Sequence, residues 1–330
     1  MTKKIRWGIL GCGKIARKFA TDLRLVEDAE LVAIASHNPQ KAQEFSHDFK
    51  PQLVFNDYES LASATVVDVI YVATPHGFHY EHVMLCLRHK KAVLCEKAFA
   101  LNSKQLREMI QEARRQKVFL MEAFWTKFLP QYQKVMELIA AGVLGEIRLV
   151  QADFGFKAPE PKPQRLYDPV LGGGSLLDIG IYPVFLAQAL LGKPTDIKAL
   201  VTPYASHVDE QCVIAMKFEK DALAVISSTF AVDTPVEAMI AGTKGRIHLR
   251  NRFHNAMATV ELIQERETVK TIQVHREEGG GYQFEARHVG ECLRNNLIES
   301  PVMSYSDSLS LMDTLDKIRA QCGIRYAADE

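Results

Sequence analysis

Short apolar runs alternate with helix-period stretches over the first 122 or so residues, and no other feature of the chain constrains its fold more. The runs are "IRWGIL", "ELVAIAS", "VVDVIYVAT", "KAVLCEK" and "VFLMEA". Between them lie "KIARKFATDLRLV", "NPQKAQEFSHDF", "HYEHVMLCLRHK" and "NSKQLREMIQEARRQ", the last with Asn102 or Ser103 placed to cap it. Runs this rich in Val, Ile and Leu read as strands buried on both faces. Strands separated by helices close through right-handed crossovers into a parallel, doubly wound α/β sheet.

After about residue 124 the rhythm changes. Helical stretches at 129–141 and 174–191 flank one strand, "IRLVQADFGF". Then come "QCVIAMKFEKDALAVISSTF", "VEAMIAGTKGRIHLRN" and "MATVELIQERETVKTIQVH", strand-like segments joined by short polar turns that favour antiparallel pairing. Helical "YQFEARHVGECLRNN" and "SDSLSLMDTLDKIRAQ" close the chain. The expected organisation is an N-terminal parallel sheet domain, residues 1–123, and a C-terminal α+β domain with an open, largely antiparallel sheet, residues 124–330. "KAPEPKPQRLYDPVLGGG" falls inside the second half and reads as a loop over a site.

The first strand runs into "GCGKIA", a G-x-G-x-x-A pattern opening the first helix. Gly11 suits the tight turn, Gly13 lets backbone approach a pyrophosphate, and Ala16 allows close helix–strand packing. The first-turn amides, including those of Lys14 and Ile15, face the phosphates. This is a Rossmann dinucleotide site. The second strand ends in Ser36, His37 and Asn38, where an NAD-preferring site has Asp or Glu on the ribose. These three and Lys41 can donate to a 2′-phosphate, so NADP is favoured and NAD remains possible.

At this point the chain resembles the glucose–fructose oxidoreductase/inositol dehydrogenase (Gfo/Idh/MocA) family. "GILGCGKIA", "YVATPHGFHYEHV", "VLCEKAFALN" and "GGGSLLDIGIYPV" occur in family order across most of the sequence. "MEAFWTKFLP" and Tyr182 are most similar to the dihydrodiol dehydrogenase-like branch. The resemblance implies an NAD(P)-dependent oxidoreductase acting on a secondary alcohol or carbonyl of a sugar, polyol or trans-dihydrodiol. It also implies that Thr74, Pro75, His76, His79, Glu96 and Lys97 border the cofactor, and that dimers or tetramers are built on the second sheet; a sheet with one face uncovered by helices makes a homodimer the expected form.

The candidate catalytic residues also have reasons of their own. Lys97 follows "AVLC", at the carboxyl end of a parallel strand where open α/β sheets bind ligands. A desolvated ammonium there stabilises alkoxide character on a substrate oxygen. Asp178 and Tyr182 stand four apart on an otherwise apolar helix, so they share a face, just after a glycine triplet that admits close backbone approach to a ligand. The resemblance implies that Tyr182 exchanges the proton, Lys97 tunes it and Asp178 orients the pair. Most of the wider family has His at the Tyr182 position. Where the family has Glu-Lys-Pro this chain has Glu96-Lys97-Ala98, and a cis bond before Ala costs about 2.5–4 kcal/mol, so Lys97 is expected on a trans peptide or on a strained cis one.

Trp125, Arg148 and Arg165 are candidates for a substrate pocket. His76, His79 and His82 recur at three-residue steps without nearby Cys or Asp, which argues against a metal. Forty basic residues balance forty acidic ones, giving no electrostatic support for nucleic-acid or membrane-surface binding. No apolar run is read as a membrane span. Six scattered cysteines without a CxxC pair fit reduced thiols in the cytoplasm. The rivals are an NAD-linked inositol-type dehydrogenase, disfavoured by the missing acid at 36–38, and a cofactor-binding regulator, which would not need Lys97, Asp178 and Tyr182.

Overall fold

In the computed structural model, which describes residues 4–264 and 268–330, the apolar runs of the first half form strands. They are β1 (Ile5–Leu10), β2 (Ala29–Ala35), β3 (Leu53–Phe55), β4 (Val69–Val72), β5 (Ala92–Glu96) and β6 (Leu120–Ala123). All pair in parallel, in the order β3-β2-β1-β4-β5-β6. Every residue of β4, β5 and β6 is buried, as continuous apolar strands covered on both faces require. Crossovers run through α1 (Lys14–Leu23), α2 (Pro39–Phe49), α3 (Tyr58–Ser63), α4 (His79–Arg88) and α5 (Ser103–Gln116). Asn38, Asp57 and Asn102 cap α2, α3 and α5 by accepting from the amides of Lys41, Ser60 and Gln105. The strand order reverses between β1 and β4, which opens a crevice at their carboxyl ends.

The second half supplies α6 (Pro130–Ala140), β7 (Ile147–Gly155), α7 (Gln164–Tyr167) and α8 (Ile181–Leu191). It continues with β8 (Asp196–Pro203), β9 (Asp209–Lys217), β10 (Leu223–Thr229), β11 (Ala238–Gly242), β12 (Gly245–Arg250), β13 (Thr259–Gln264) and β14 (Thr268–Ile272). The sheet runs β14-β13-β12-β11-β7-β10-β9-β8 and is antiparallel except where β10 lies parallel to β7. β9 and β10 alternate: Cys212, Ile214, Met216, Ala224 and Ile226 face the core, while Val213, Leu223 and Val225 face outward. One stretch, Pro169–Leu191, does prove long and apolar enough to cross a membrane by length and composition. Most of its apolar window is buried inside the protein.

The chain closes with α9 (Tyr282–Arg294) and α10 (Tyr305–Cys322). Here the expected two-block division fails. One unit comprises the chain up to Phe128 together with Glu277–Leu309, and the other Leu129–Arg276 together with Ser310–Glu330. The returning segment is sewn to α1 by Asp22, whose buried carboxylate accepts the amides of Gly280 and Tyr282 at 2.9 Å. α9 then packs along α1.

Candidate active site

In the first unit the glycine turn follows β1. Gly11 has φ +95°, and a Cβ there would meet the Ala73 carbonyl oxygen at 3.1 Å, so conformation and packing both demand glycine. Gly13 is different. Its φ of −82° suits any residue, and a Cβ would meet nothing nearer than the Ala73 oxygen at 4.0 Å. The protein leaves room at this position, just ahead of the first-turn amides of α1. Ala16 is fully buried under the sheet. Burial pushes the Cys12 thiol in this turn up to about 11, and the charges of Arg17 and Lys41 pull the other way, so both cations bear on the turn. Arg17 itself is engaged by Asp48 and Glu44.

At the end of β2 the Ser36 hydroxyl oxygen accepts the Asn38 amide at 3.1 Å, and Asn38 Oδ1 accepts that of Lys41 at 3.0 Å. The His37 ring lies 4.0 Å from that of Tyr58. Asp57, which no sequence motif marks, lies close by. Its carboxylate feels the His37 ring, but is held by Ser60 as the α3 cap.

Around β4 and β5 the three histidines do separate work. Thr74 Oγ1 lies 3.0 Å from His82 Nδ1. His79 is fully buried, with Nε2 2.8 Å from the Thr74 carbonyl and Nδ1 2.8 Å from that of Ala98. The ring is therefore turned into the protein, and its single N–H at neutral pH serves one of these two carbonyls. His76 sits edge-on to it, with ring centroids 5.6 Å apart. The Tyr71 hydroxyl donates to Glu96, the last residue of β5. Lys97 follows, and its peptide to Ala98 is cis, the costlier of the two forms that the sequence left open. Behind it Glu122 is 2% exposed, and burial pushes its carboxyl up to about 7 against hydrogen bonds from Ser308 and the Phe99 amide. Trp125 is buried with its indole stacked on Tyr282, centroids 4.7 Å apart and planes at 14°.

In the second unit Asp178 lies in a π-helical turn, Leu176–Gly180, that runs into α8, which carries Tyr182. The expected regular helix between them is interrupted, so the simple four-residue face does not apply; such π turns recur at functional positions. Arg165 forks onto Asp178, with Nη1 3.0 Å from Oδ1 and Nη2 3.1 Å from Oδ2. This pair unites two residues that sequence reasoning had assigned separately. The Tyr182 ring is buried beside Phe154 and His254, with centroids at 5.8 and 4.8 Å. His254 went unnoticed in the sequence because nothing periodic or motif-like surrounds it.

The glycine triplet also has an internal reason. Gly174 has φ +120°, and a Cβ would stand 2.5 Å from Asp209 Oδ1. What comes close is the protein itself, where a ligand had been expected. Asp209 accepts from the Ser175 hydroxyl at 2.8 Å and the Leu176 amide at 2.6 Å, opening the π turn, and burial raises its pKa to about 6. The loop carrying Arg165 is pinned by Lys162, which pairs with Glu210 at 2.7 Å and lies over the rings of Tyr167 and Tyr204. Arg148 does not join this group. Its guanidinium donates to the Lys220 carbonyl and Glu146 on the exposed surface of its sheet, so its assignment to a substrate pocket is withdrawn.

Residues 5–124 match the family described as "Oxidoreductase family, NAD-binding Rossmann fold" (GFO_IDH_MocA), and residues 132–248 match the "GFO/IDH/MocA C-terminal domain". A trans-1,2-dihydrobenzene-1,2-diol dehydrogenase of Danio rerio is 38% identical over 334 residues, covering 98% of this chain and 99% of that protein. The Homo sapiens protein of the same name is 33% identical over 336 residues, covering 99% of each. Among solved structures, a 3-ketoreductase from Actinomadura kijaniata in complex with NADP and TDP-benzene superposes with a TM-score of 0.85. It is 26% identical and covers 97% of this chain and 98% of its own. An aldose-aldose oxidoreductase from Caulobacter crescentus, 24% identical over the same shares, reaches a TM-score of 0.89 and shows the shared fold.

Proposed function

The chain belongs to the Gfo/Idh/MocA oxidoreductase family, and from that premise we propose that it is an NADP-preferring dehydrogenase or reductase. Its substrate is a secondary alcohol, or the matching carbonyl, of a sugar, polyol or trans-dihydrodiol. Relatives named as dihydrodiol dehydrogenases and a ketoreductase solved with NADP support this reading. The observation that carries it is Gly13. Neither its conformation nor its packing asks for glycine, whereas a pyrophosphate approaching the α1 amides does. The residues at the end of β2 fit the NADP choice. Ser36, His37, Asn38 and Lys41 present donors, and the Asp57 carboxylate, which feels the His37 ring, is committed to its cap.

The bound nicotinamide supplies the hydride acceptor or donor. In this reading the Lys97 ammonium stabilises the substrate oxygen as it gains alkoxide character, and the Tyr182 phenol exchanges the hydroxyl proton. Asp178, held by Arg165, fixes the local orientation around that phenol. Substrate choice falls to the Arg165 loop. The reading extends to a cytoplasmic setting, supported by six free thiols, five of them buried. It also extends to a homodimer through the outward row Leu200, Val213, Leu223 and Val225, since monomers rarely leave large apolar patches open.

A turnover screen of sugars, polyols and trans-dihydrodiols, run with NADP(H) and NAD(H), tests the function. Turnover of at least one class with NADP is expected. Tight cofactor binding with no turnover of any class would leave only a cofactor-binding protein, and an about tenfold preference for NAD would overturn the cofactor assignment.

A further inference from the structure

The ladder between β5 and β6 ends at the pair Glu96 and Ala123. The backbone beyond it, at Ala98 and Phe99, is fully buried, so its polar groups need partners other than a neighbouring strand. Two buried titratable side chains that the proposed chemistry does not use provide them. His79, the first residue of α4, sets Nδ1 2.8 Å from the Ala98 carbonyl oxygen. Glu122, in β6, accepts the Phe99 amide on Oε1 at 3.2 Å. The Lys97 charge reaches both: it opposes protonation of His79 and favours ionisation of Glu122. His79 Nε2 lies 2.8 Å from the Thr74 carbonyl oxygen, in the segment that follows β4.

We propose that His79 and Glu122 clamp the backbone immediately after Lys97 and so set where its ammonium stands, making both positioning residues. The inference rests on the reading that assigns Lys97 to the substrate oxygen. Burial brings the His79 pKa down to about 4, so at neutral pH the ring is uncharged and carries one N–H. The clamp assigns that N–H to Nδ1 and the Ala98 carbonyl.

Isosteric substitutions separate this role from mere filling of the core. Asn at 79 keeps an amide donor where Nδ1 stands, and Gln keeps one where Nε2 stands. Gln at 122 keeps the acceptor for Phe99, and Met does not. With the substrate found by screening, His79→Gln and Glu122→Met should lower kcat ~10- to 100-fold, as misplacement of a reacting group does, with cofactor Kd unchanged. His79→Asn and Glu122→Gln should recover most of the loss. In a Lys97→Met background His79→Gln should cost nothing further, because no ammonium remains to be misplaced.

Parental kcat in His79→Gln would overturn the clamp, as would Asn performing no better than Gln. Parallel loss of kcat and cofactor affinity, or an undiminished cost in the Lys97→Met background, would do the same. Failure of all four variants to fold would show that these groups serve the fold alone. If Lys97→Met itself keeps parental turnover, the underlying reading of Lys97 fails. If it loses turnover while the clamp variants do not, only the clamp fails.

Discussion

The Arg165 guanidinium holds the Asp178 carboxylate through two parallel hydrogen bonds, 3.0 and 3.1 Å long, across thirteen residues of sequence. A fork of this kind fixes the plane of the carboxylate as well as its charge. Arg165→Lys should therefore behave almost like Arg165→Gln, because an ammonium cannot reproduce two parallel bonds. Both should lower kcat/KM by about tenfold, the cost of a hydrogen-bonded charge pair of the order of 1.4 kcal/mol. Thermal unfolding should change little, since Arg165 is half exposed. Full activity in the Lys variant would show that only the charge matters.

Lys97→Met keeps the length of the side chain and removes its ammonium. If the charge acts as the alkoxide forms, kcat should fall about 10²–10³-fold while cofactor Kd stays near its parental value. Tyr182→Phe should cost a comparable factor if the phenol exchanges the proton. The two losses should fall well short of additive in the double variant. Steady-state kinetics beside a cofactor titration decide the matter.

Two glycines should respond in opposite ways to the same substitution. Gly13→Ala places a methyl group where the protein has space, so the unfolding temperature should hold while cofactor affinity drops, by about tenfold or more. Gly174→Ala puts a Cβ at φ +120° and 2.5 Å from Asp209, which should cost ~1–3 kcal/mol or more of stability. Thermal shift with and without NADP separates the two. A Gly13→Ala protein that binds NADP normally would remove the pyrophosphate from that turn.

Stability should depend on pH through Glu122. Its carboxyl titrates at about 7 in the folded chain against an ordinary 4.5, because burial disfavours the charge. Below 4.5 both states are protonated and the group adds no pH dependence; between there and about 7 the unfolded chain sheds its proton first, so stability falls as pH rises. Glu122→Gln removes that slope. Its advantage over the parent should grow across this window towards an upper bound on the order of 3 kcal/mol and then level off. Urea unfolding at a series of pH values measures it, and a constant difference would contradict the assignment.

The outward face of the second sheet yields a test of assembly. Val225 sits on it opposite Ala215 of β9 and Gln151 of β7, 44% exposed, with Leu200 at 78% and Val213 at 53% farther along. A charge at its centre, Val225→Glu, should leave the fold intact and turn the proposed dimer into a monomer by light scattering. A parent protein already monomeric at micromolar concentration would remove the proposal.

The parallel sheet was legible because strands buried on both faces leave uninterrupted apolar runs, and the glycine turn because it joins the first such run to a helix. β3 escaped notice: three residues show no period, and Leu53 and Val54 lie exposed on an edge strand. The Arg165–Asp178 pair was invisible because a loop, which follows no period, sets its distance. His79 was legible only as a residue of the loop beside the cofactor. Spacing shows that a histidine lies near a loop, but only burial and two carbonyl neighbours reveal that it faces inward. The division at 123 was close to the observed break after Phe128, yet a returning helix has the same periodicity whichever unit it joins.

That return affects how the protein is made. The first unit draws on residues as late as Leu309, and Asp22 waits for the amides of Gly280 and Tyr282. On a translating ribosome, at roughly 5–20 residues per second, the sheet strands of this unit are complete roughly 10 to 40 seconds before the helix that covers α1 has been synthesised. Until then a buried carboxylate has no partners and an apolar helix face stands open to solvent. The nascent chain therefore passes through an interval in which its nucleotide fold is written but not closed, and chaperone engagement should concentrate there.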